Sequence, residues 1–350
     1  MSAGLRVVIA TPLSAENVAL LREREPRLEV VYEPELLSPA DTDWQKPHAS
    51  WLAHERSAED QRRYEAMVDS AEALFGVPDH AGAALARTVA ANPGLRWVHT
   101  IPAGGGQQVR AAGLDRAALE RIVFTTSAGV HAEPLAEFAV FGVLAGAKQL
   151  PWMLENQRAH TWPPRRVLGL ARDTTVAVVG LGGIGRATAS RLAALGFRVI
   201  GVHRRPVEAE GVAEVRLVSE LATVAAEVDA LVLCLPDTEA TRGLLSAEVL
   251  AAVRDLTVVN VGRGTAIDED ALRAALVDGR VGFAALDVVA QEPLPAESPL
   301  WDLPNLLISP HTAAISDHEP RLITELFADN ARRLLDGEPL RNRVDTVEFY

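Results

Sequence analysis

The middle of this 350-residue chain carries a glycine-rich turn between a strand and a helix. The four apolar residues 176–179 predict a buried strand, and Gly180, Gly182 and Gly185 follow with G-x-G-x-x-G spacing. In such a turn the first glycine permits a sharp reversal, the second lets a pyrophosphate approach the backbone, and the third lets the helix pack closely on the strand. The free N–H groups and the positive dipole end of the helix also favour phosphate.

The order of elements around this turn separates a nucleotide site from a turn made only for packing. Glycine spacing alone is weak support, because glycine-rich turns between strands and helices also serve packing. Here a helix over 186–195 and a second strand over 197–202 follow, which is the context that the motif requires. We therefore expect dinucleotide binding, with contacts from Gly180, Gly182, Gly183, Ile184 and Gly185.

Length and composition narrow the classes of protein that fit this sequence. At 350 residues two domains are the default expectation, and 48% hydrophobic residues fit a well-buried α/β protein. The net charge of −13 argues against nucleic acid or an anionic membrane as the main partner. The single cysteine, Cys234, excludes an intrachain disulfide and favours the cytoplasm. We expect no signal peptide, no membrane span and no metal.

Before the glycine turn, short apolar segments alternate with helical ones. A helix is predicted at 14–23, and residues 38–58, rich in Pro, His, Trp and Asp, predict a loop or insertion. A strongly apolar helix at 134–150 is expected between domains or in a dimer interface. Trp51, His99, Trp152 and Trp162 are expected in buried packing rather than in a ligand pocket. Strands are predicted at 5–10, 28–32, 73–77, 96–100 and 121–125.

Strand and helix alternation starts again at residue 175 and predicts a second sheet. A last helix at 319–335 follows this sheet, so we expect the chain to return to the first domain. The predicted fold class is α/β with two Rossmann-like domains: a doubly wound parallel-sheet dinucleotide-binding domain at 126–314, inserted in a flavodoxin-like substrate domain at 1–125 and 315–350. The six expected strands of the second sheet are 176–179, 198–202, 230–235, 257–261, 282–286 and 306–309.

Three chemically active side chains follow predicted strands of the second domain. Arg263 comes directly after one strand, Glu292 follows the next, and His311 follows the last. Each alone fits an ordinary surface, loop or capping role. Because ligands bind beyond the carboxyl ends of parallel strands, the three together predict one ligand cleft.

These motifs make the chain resemble the D-isomer-specific 2-hydroxyacid dehydrogenases over about residues 95–345. The resemblance rests on the glycine turn, the three strand-end clusters, and the segments SAGVHAEPLAE (127–137), CLPDTEATRG (234–243) and GEPLRNRVD (337–345). It implies hydride transfer between a nicotinamide cofactor and a small 2-keto or 2-hydroxy acid of D configuration. His311 is then expected to be the general acid or base, Glu292 to orient it and favour its charged form, and Arg263 to bind the substrate carboxylate.

The resemblance also implies residues that hold substrate and cofactor. Ala103, Gly104 and Gly105 match the substrate-carboxylate loop, although many relatives carry a bulkier residue and an Asp where this chain has Gly105 and Gly106. Further cofactor contacts are expected from Leu235, Pro236, Thr241, Val261, Gly262, Arg263, Asp287, His311 and Ala313.

The end of the second strand of the dinucleotide domain bears on the choice between NADP and NAD. A site that prefers NAD usually has Asp or Glu there, whereas this chain has His203, Arg204 and Arg205. An acid would repel a 2′-phosphate, and arginine pairs with it. The arginines also fit exposed loop positions that stack on adenine or face water. We expect NADP(H), with NAD(H) as the alternative.

Two classes of function fit these observations. The first is an NADP-preferring 2-keto acid reductase of the glyoxylate/hydroxypyruvate reductase type, with phosphoglycerate and other D-2-hydroxyacid dehydrogenases as enzyme alternatives. The second is a dinucleotide-sensing corepressor, since the C-terminal-binding proteins keep the same Arg, Glu and His. By analogy with the family we expect a cytoplasmic homodimer joined through its cofactor domains.

Overall fold

The chain forms two compact units in a computed structural model that describes residues 4–37 and 55–349. One unit comprises Met1–Val130 with Asp317–Tyr350, and the other is His131–Ser316. Most of the predicted loop at 38–58, including Trp51, lies outside the described residues. The roles predicted for the domains 1–125 with 315–350 and 126–314 stay predictions.

In its described residues, the first unit contains a parallel sheet of five strands with the order β2-β1-β3-β4-β5. This is the flavodoxin-like order, which changes winding direction between β1 and β3. The elements are β1 (Leu5–Ile9), α1 (Ala15–Arg24), β2 (Leu28–Val31), α2 (Ala58–Asp69), β3 (Ala73–Phe75), α3 (Gly82–Ala91), β4 (Trp97–Thr100), α4 (Gly106–Ala111), α5 (Arg116–Arg121) and β5 (Val123–Thr126).

The second unit, described throughout, contains a parallel sheet of seven strands in the order β12-β11-β10-β9-β6-β7-β8. Counted within the unit, this is the doubly wound order 3-2-1-4-5-6 with a seventh strand at the far edge. The elements are α6 (Ala132–Ala147), α7 (Leu150–Arg158), β6 (Thr175–Val179), α8 (Gly183–Ala194), β7 (Arg198–His203), β8 (Glu214–Leu217), α9 (Leu221–Glu227), β9 (Ala230–Leu233), α10 (Ala247–Ala251), β10 (Leu256–Asn260), α11 (Glu269–Val277), β11 (Val281–Leu286) and β12 (Leu306–Ile308). The last helix, α12 (Glu319–Asp336), belongs to the first unit, so the predicted fold class is confirmed.

Alternation along the strands explains why both faces of the second sheet are covered. In β6, Ala177 and Val179 pack into one hydrophobic core, while Val176 and Val178 pack into the core on the opposite face. All four side chains are fully buried. A strand buried on both faces has a continuous apolar sequence, which is why the pattern predicted a parallel sheet.

Three features differ from the sequence predictions. β8 was not predicted, because it is a partly exposed edge strand with the sequence Glu-Val-Arg-Leu rather than an apolar run. The apolar helix ends at Ala147 instead of residue 150, since Gln149 adopts a left-handed conformation (φ 53°) before α7 begins. Trp162 is 99% exposed, so its expected burial was wrong.

One face of α6 packs directly on the second sheet. A Cβ atom at Gly142 would lie 2.8 Å from Val259 Cγ2, so glycine at this position allows close contact. Phe141, on the same helix, remains 45% exposed. Among the described residues, none of the helices has the length and apolar sequence that crossing a membrane requires.

A buried hydrogen-bond chain joins the carboxyl ends of β4 and β5. Trp97 Nε1 donates to Thr125 Oγ1 (2.8 Å), which lies 2.8 Å from His99 Nδ1. On the other side of the ring, His99 Nε2 lies 3.1 Å from Ser127 Oγ, and this hydroxyl donates to Thr100 O (3.3 Å). A neutral ring protonated on Nε2 fits the whole chain, because Thr125 then donates to Nδ1. Burial lowers the pKa of His99 to about 3.

His99 should make the protein sensitive to acid. Its pKa rises from about 3 in the folded chain to the ordinary 6.5 on unfolding, so stability falls as the pH falls between these values, by about 1.4 kcal/mol per pH unit. We expect His99→Gln to lose less stability than the wild type between about pH 7 and pH 4, measured by urea unfolding. The exposed His318→Gln variant should behave as the wild type. Equal pH dependence in all three proteins would contradict a neutral, buried His99.

Candidate active site at the carboxyl edge of the second sheet

The predicted cofactor and catalytic residues of the second unit lie at one edge of its sheet. Because every strand pair in this sheet is parallel, all the carboxyl ends share that edge. Backbone hydrogen bonds extend the strand pairing into the loops. They run from Gly180 N to Val202 O (2.8 Å), from Cys234 N to Val179 O (2.9 Å), from Val261 N to Leu233 O (3.1 Å), from Asp287 N to Asn260 O (3.0 Å) and from Ser309 N to Leu286 O (2.8 Å).

The glycine turn forms an open cradle at the start of α8. Gly180 adopts φ +95°, and a Cβ at Gly185 would lie 1.9 Å from Gly180 O, so both positions require glycine. Gly182 precedes the helix, and a Cβ there would meet no described atom within 4 Å. The first helical residues, Gly183 and Ile184, present their N–H groups at this end. The cradle fits a pyrophosphate.

The loops after β9 and β10 are in backbone contact. A Cβ at Gly262 would lie 2.5 Å from Leu235 N, which requires glycine next to the buried Val261. Within the first loop, Thr241 Oγ1 donates to Pro236 O (2.6 Å). These two loops therefore lie side by side at the carboxyl edge of the sheet, beyond the ends of β9 and β10.

Asp287 has one carboxylate oxygen with three donors and another with none. Its Oδ1 accepts hydrogen bonds from Ser309 Oγ (2.7 Å), Thr312 N (3.0 Å) and Ala313 N (2.9 Å). Its Oδ2 is buried and has no hydrogen-bond partner among the described residues. A buried acceptor without a donor is costly, so this oxygen fits an N–H donor of a bound cofactor.

His311 and Glu292 form a hydrogen-bonded pair. His311 Nδ1 lies 2.7 Å from Glu292 Oε2, and Glu292 Oε1 accepts a hydrogen bond from Val289 N (3.1 Å). The hydrogen bond to Glu292 raises the pKa of His311, while partial burial and Arg263 oppose this. Burial alone would raise the pKa of Glu292, but the hydrogen bond and charge of His311 lower it. Since Nδ1 is held by Glu292, Nε2 is the ring nitrogen left to exchange a proton.

The backbone of His311 is also unusual. Its φ is +52°, in the left-handed region that non-glycine residues rarely adopt. The peptide N–H of His311 bonds both Asp287 O and Ser309 O, each at 2.9 Å. Asp287 therefore helps to hold the loop after β12, and with it the ring of His311, through its backbone oxygen. The same residue carries the buried Oδ2 that has no partner among the described residues.

Arg263 is exposed, and its side chain bonds the neighbouring backbone rather than an acid. Asn260, fully buried at the end of β10, accepts from Gly262 N and donates to Arg263 O, both at 3.0 Å. The Arg263 side chain donates from Nη1 to Gly262 O (2.7 Å). No carboxylate in the described part of the chain forms an ion pair with Arg263, so its guanidinium suits an anionic ligand. The positioning role of Asn260 was not predicted from the sequence.

A histidine and several arginines form a cluster at the end of β7. His203 Nδ1 accepts a long hydrogen bond from Leu181 N (3.4 Å), and Arg204 and Arg205 follow as exposed residues. Burial lowers the pKa of His203, and the charges of Arg204, Arg205 and Arg186 lower it further. Arg186, whose Nε donates to Leu181 O (3.1 Å), is therefore a fourth member that sequence reasoning missed.

The predicted substrate loop lies in the first unit, between β4 and α4. Ala103 and Gly104 form part of this turn, and Gly105 N bonds Pro102 O (3.1 Å). A Cβ at Gly105 would lie 1.7 Å from the buried Thr100 Oγ1. This close approach favours glycine at position 105 of this chain.

Comparison with known sequences identifies the family to which this chain belongs. Residues 140–313 match the family model for the D-isomer specific 2-hydroxyacid dehydrogenase, NAD binding domain. The glyoxylate/hydroxypyruvate reductase B of Yersinia enterocolitica is 35% identical over 274 residues, covering 69% of this chain and 82% of the relative. The human glyoxylate reductase/hydroxypyruvate reductase is 33% identical over 250 residues, covering 67% and 75%.

Solved structures agree with this result. A D-isomer specific 2-hydroxyacid dehydrogenase from Xanthobacter autotrophicus Py2, in complex with NADPH and MES, has a TM-score of 0.77 at 30% identity, covering 99% of this chain and 100% of that one. An NADPH-dependent glyoxylate/hydroxypyruvate reductase from Sinorhizobium meliloti, in complex with NADP and sulfate, has a TM-score of 0.73 at 25% identity, with the same coverage.

The fold and the strand-edge site thus define an oxidoreductase that uses a nicotinamide dinucleotide. The chain belongs to the D-isomer specific 2-hydroxyacid dehydrogenase family. The resemblance and the enzyme class inferred from the sequence are confirmed. The glycine cradle and the orphaned Oδ2 of Asp287 both fit this cofactor.

The His311–Glu292 pair can be tested without substrate. We expect Glu292→Gln to lower the pKa of His311, because the neutral amide no longer favours the charged ring. NMR titration of the histidine ring Cε1–H signals measures this, and a His311→Asn variant assigns the resonance. Glu297→Gln, which changes an exposed acid in the same loop, is the control and should leave the titration unchanged. An unchanged pKa in Glu292→Gln would exclude the pairing.

Proposed function

We propose that this protein reduces a small 2-keto acid, such as glyoxylate or hydroxypyruvate, to the D-2-hydroxy acid, with NADPH as the preferred cofactor. The observation that carries this proposal is the Glu292–His311 pair, which lies at the same strand edge as Arg263 and the glycine cradle. A proton donor and a carboxylate-binding cation are the two groups that such a reduction needs from the protein. The activities for which similar reductases are named support this substrate class.

The protein contributes the proton, while a nicotinamide cofactor supplies the hydride when it is bound. His311 is charged more readily because Glu292 raises its pKa, and it donates from Nε2 to the carbonyl oxygen of the substrate. Glu292 stabilises the charged ring before the transfer. In the oxidation direction, neutral His311 accepts the hydroxyl proton at the same nitrogen, so reduction is favoured at lower pH and oxidation at higher pH.

Arg263 holds the acid group of the substrate. Its planar guanidinium can form two parallel hydrogen bonds with a carboxylate, which fixes the orientation of the neighbouring carbonyl. By analogy with the family loop that they match, Ala103 and Gly104 are proposed to offer backbone N–H groups to a carboxylate. The N–H of Gly105 already donates to Pro102 O, so Gly105 is proposed to shape this loop.

Arg263→Ala should separate a reductase from a dinucleotide sensor. We expect wild-type protein to oxidise NADPH when glyoxylate or hydroxypyruvate is added, and Arg263→Ala to lower kcat/KM by about 100-fold, because two charge-assisted hydrogen bonds are lost. Arg263→Lys should recover only part of the lost kcat/KM. Absorbance at the NADPH band measures the rates. Tight cofactor binding without turnover on any of a panel of 2-keto acids would favour the sensor instead.

The cofactor contacts are proposed along the same edge. Gly180, Gly182, Gly183, Ile184 and Gly185 surround the pyrophosphate, and Asp287 Oδ2 accepts an N–H from the nicotinamide end. Gly262 and Leu235 let the cofactor approach the backbone. The remaining proposed contacts are Pro236, Thr241, Val261, Arg263, His311 and Ala313.

The preference for NADP(H) rests on the charge at the end of β7. His203 stands where NAD-preferring sites usually have an acid, and Arg186, Arg204 and Arg205 surround it with positive charge. These groups favour a 2′-phosphate over a 2′-hydroxyl. Similar proteins solved with NADPH or NADP support this preference.

Exchanging a charge in this cluster should change the cofactor preference. We expect wild-type kcat/KM to be higher with NADPH than with NADH. Arg204→Asp should lower the NADPH value by about 10- to 100-fold and the NADH value much less, because the acid repels the 2′-phosphate. Arg172→Asp changes an exposed arginine elsewhere in the unit and should leave the ratio unchanged. A wild-type preference for NADH would contradict the proposal.

The alternatives have less support. The chain is 32% identical to the D-3-phosphoglycerate dehydrogenase of Methanocaldococcus jannaschii but covers only 41% of that protein. Family membership and the reductase relatives do not favour a corepressor-like sensor.

We also propose a homodimer joined through the second units, in the cytoplasm. Phe141 on α6 is 45% exposed, and Leu195, directly after α8, is 50% exposed. A shallow depression of about 370 Å³ lies between these helices, lined by Glu137, Val140, Arg191, Ala194 and Leu195. An exposed apolar surface of this kind suits a second copy of the chain.

A further inference from the structure

We propose that Glu269, at the first position of α11, is a positioning residue that holds the loop carrying Glu292. This inference rests on the proposed function, because its consequence is the orientation of the proton donor. Glu269 lies outside every cluster that the sequence singled out, and its side chain is not expected to touch substrate or cofactor.

The hydrogen bonds form a continuous path from α11 to the ring of His311. Glu269 Oε1 accepts from Ala290 N at 2.6 Å. The neighbouring Val289 N donates to Glu292 Oε1 (3.1 Å), and Glu292 Oε2 lies 2.7 Å from His311 Nδ1. Two carboxylates, Glu269 and Glu292, therefore bind successive peptide N–H groups of one short loop. Glu269, on α11, holds the loop through Ala290 N. Glu292, within the loop, is held by Val289 N and in turn bonds His311.

The same loop is also packed against the segment that carries Arg263. A Cβ at Gly264 would lie 1.9 Å from Val289 C and 2.5 Å from Ala290 N, so the two backbones touch at these residues. Glu269 follows Gly264 by five residues on the Arg263 segment, after a single short turn. Its bond to Ala290 thus joins the segment of the carboxylate-binding arginine to the loop of the catalytic pair.

Helix stabilisation is the alternative explanation for an acid at this position. Acidic residues in the first turn interact favourably with the helix dipole, and α11 carries both Glu269 and Asp270 there, after the cap by Asp268. The two acids differ in what they contact: the bond to the Glu292 loop belongs to Glu269, whereas Asp270 is exposed. Asp270 is therefore a matched control for the dipole effect alone.

Losing the Glu269 bond should weaken the alignment of Glu292 with His311. The charged groups that act on His311 are Glu292, Asp287 and Arg263, of which the first two favour the charged ring and the third opposes it. If Glu292 moves away, the positive charge of Arg263 has more influence. The pKa of His311 then falls, and the reduction rate decreases at a lower pH than in the wild type.

The experiment compares Glu269→Ala, Glu269→Gln and Asp270→Ala with the wild type. We expect Glu269→Ala to lower kcat for 2-keto acid reduction by about three- to tenfold, with little change in KM for the cofactor, and to shift the pH at which kcat/KM declines to a lower value. Glu269→Gln retains an Oε1 acceptor for Ala290 N and should recover most of the activity and the pH profile. Asp270→Ala should match the wild type.

NMR titration of His311 in the same variants gives a readout that needs no turnover. A lower pKa of His311 in Glu269→Ala, restored in Glu269→Gln, supports the inference. An unchanged titration in Glu269→Ala, or equal effects of Glu269→Ala and Asp270→Ala, overturns it in favour of a helix-stabilising role. If the wild-type protein reduces no 2-keto acid, the proposed function fails, while the titration still decides the position of Glu292.

Discussion

The seven strands of the second sheet run parallel, so their carboxyl ends meet at one edge, and the chemistry of this protein depends on that constraint. The winding direction changes between β6 and β9, where Cys234 N donates to Val179 O, while Gly180 N donates to Val202 O at the end of β7 on the other side of β6. This change leaves a crevice beside the glycine cradle. The residues that follow β10, β11 and β12 need only short loops to bring Arg263, Glu292 and His311 to the same edge. The register of the parallel strands therefore positions the site, and no long loops are needed to bring these residues together.

Two histidines show how surroundings decide what the same side chain does. His99 is fully buried among hydroxyl groups, and burial lowers its pKa to about 3, so it serves as a neutral link in a hydrogen-bond chain. His311 is partly exposed and faces a carboxylate that raises its pKa. Only the second arrangement can give and take a proton near neutral pH. His99 lies within strand β4, whereas His311 follows the end of strand β12. Their positions in the sequence therefore already indicate a buried role for His99 and an active role for His311.

Local patterns predicted much of this structure. The apolar runs of β6, β9 and β10 and the glycine spacing at 180–185 depend only on neighbouring residues, and strand-end placement follows from parallel pairing. The edge strand β8 and the exposed Trp162 escaped prediction, because one lacks an apolar run and the other lacks the burial that its size suggests. Glu269 escaped because its role arises from a bond to Ala290 in another loop, which local spacing does not encode. Asn260 and Arg186 bond the nearby backbone oxygens of Arg263 and Leu181, but these contacts depend on how each loop turns back on itself, which the residue types alone do not show.

The proposed reaction depends most on His311 acting as the proton donor while Glu292 favours its charged form. The pH dependence of kcat/KM for 2-keto acid reduction by the wild-type enzyme tests this most directly. We predict a constant value at low pH and a tenfold fall per pH unit above the pKa that NMR assigns to His311, with the opposite dependence for 2-hydroxy acid oxidation. A reduction rate that stays constant through that pKa, or that increases with pH, would contradict the assignment of His311 as the acid.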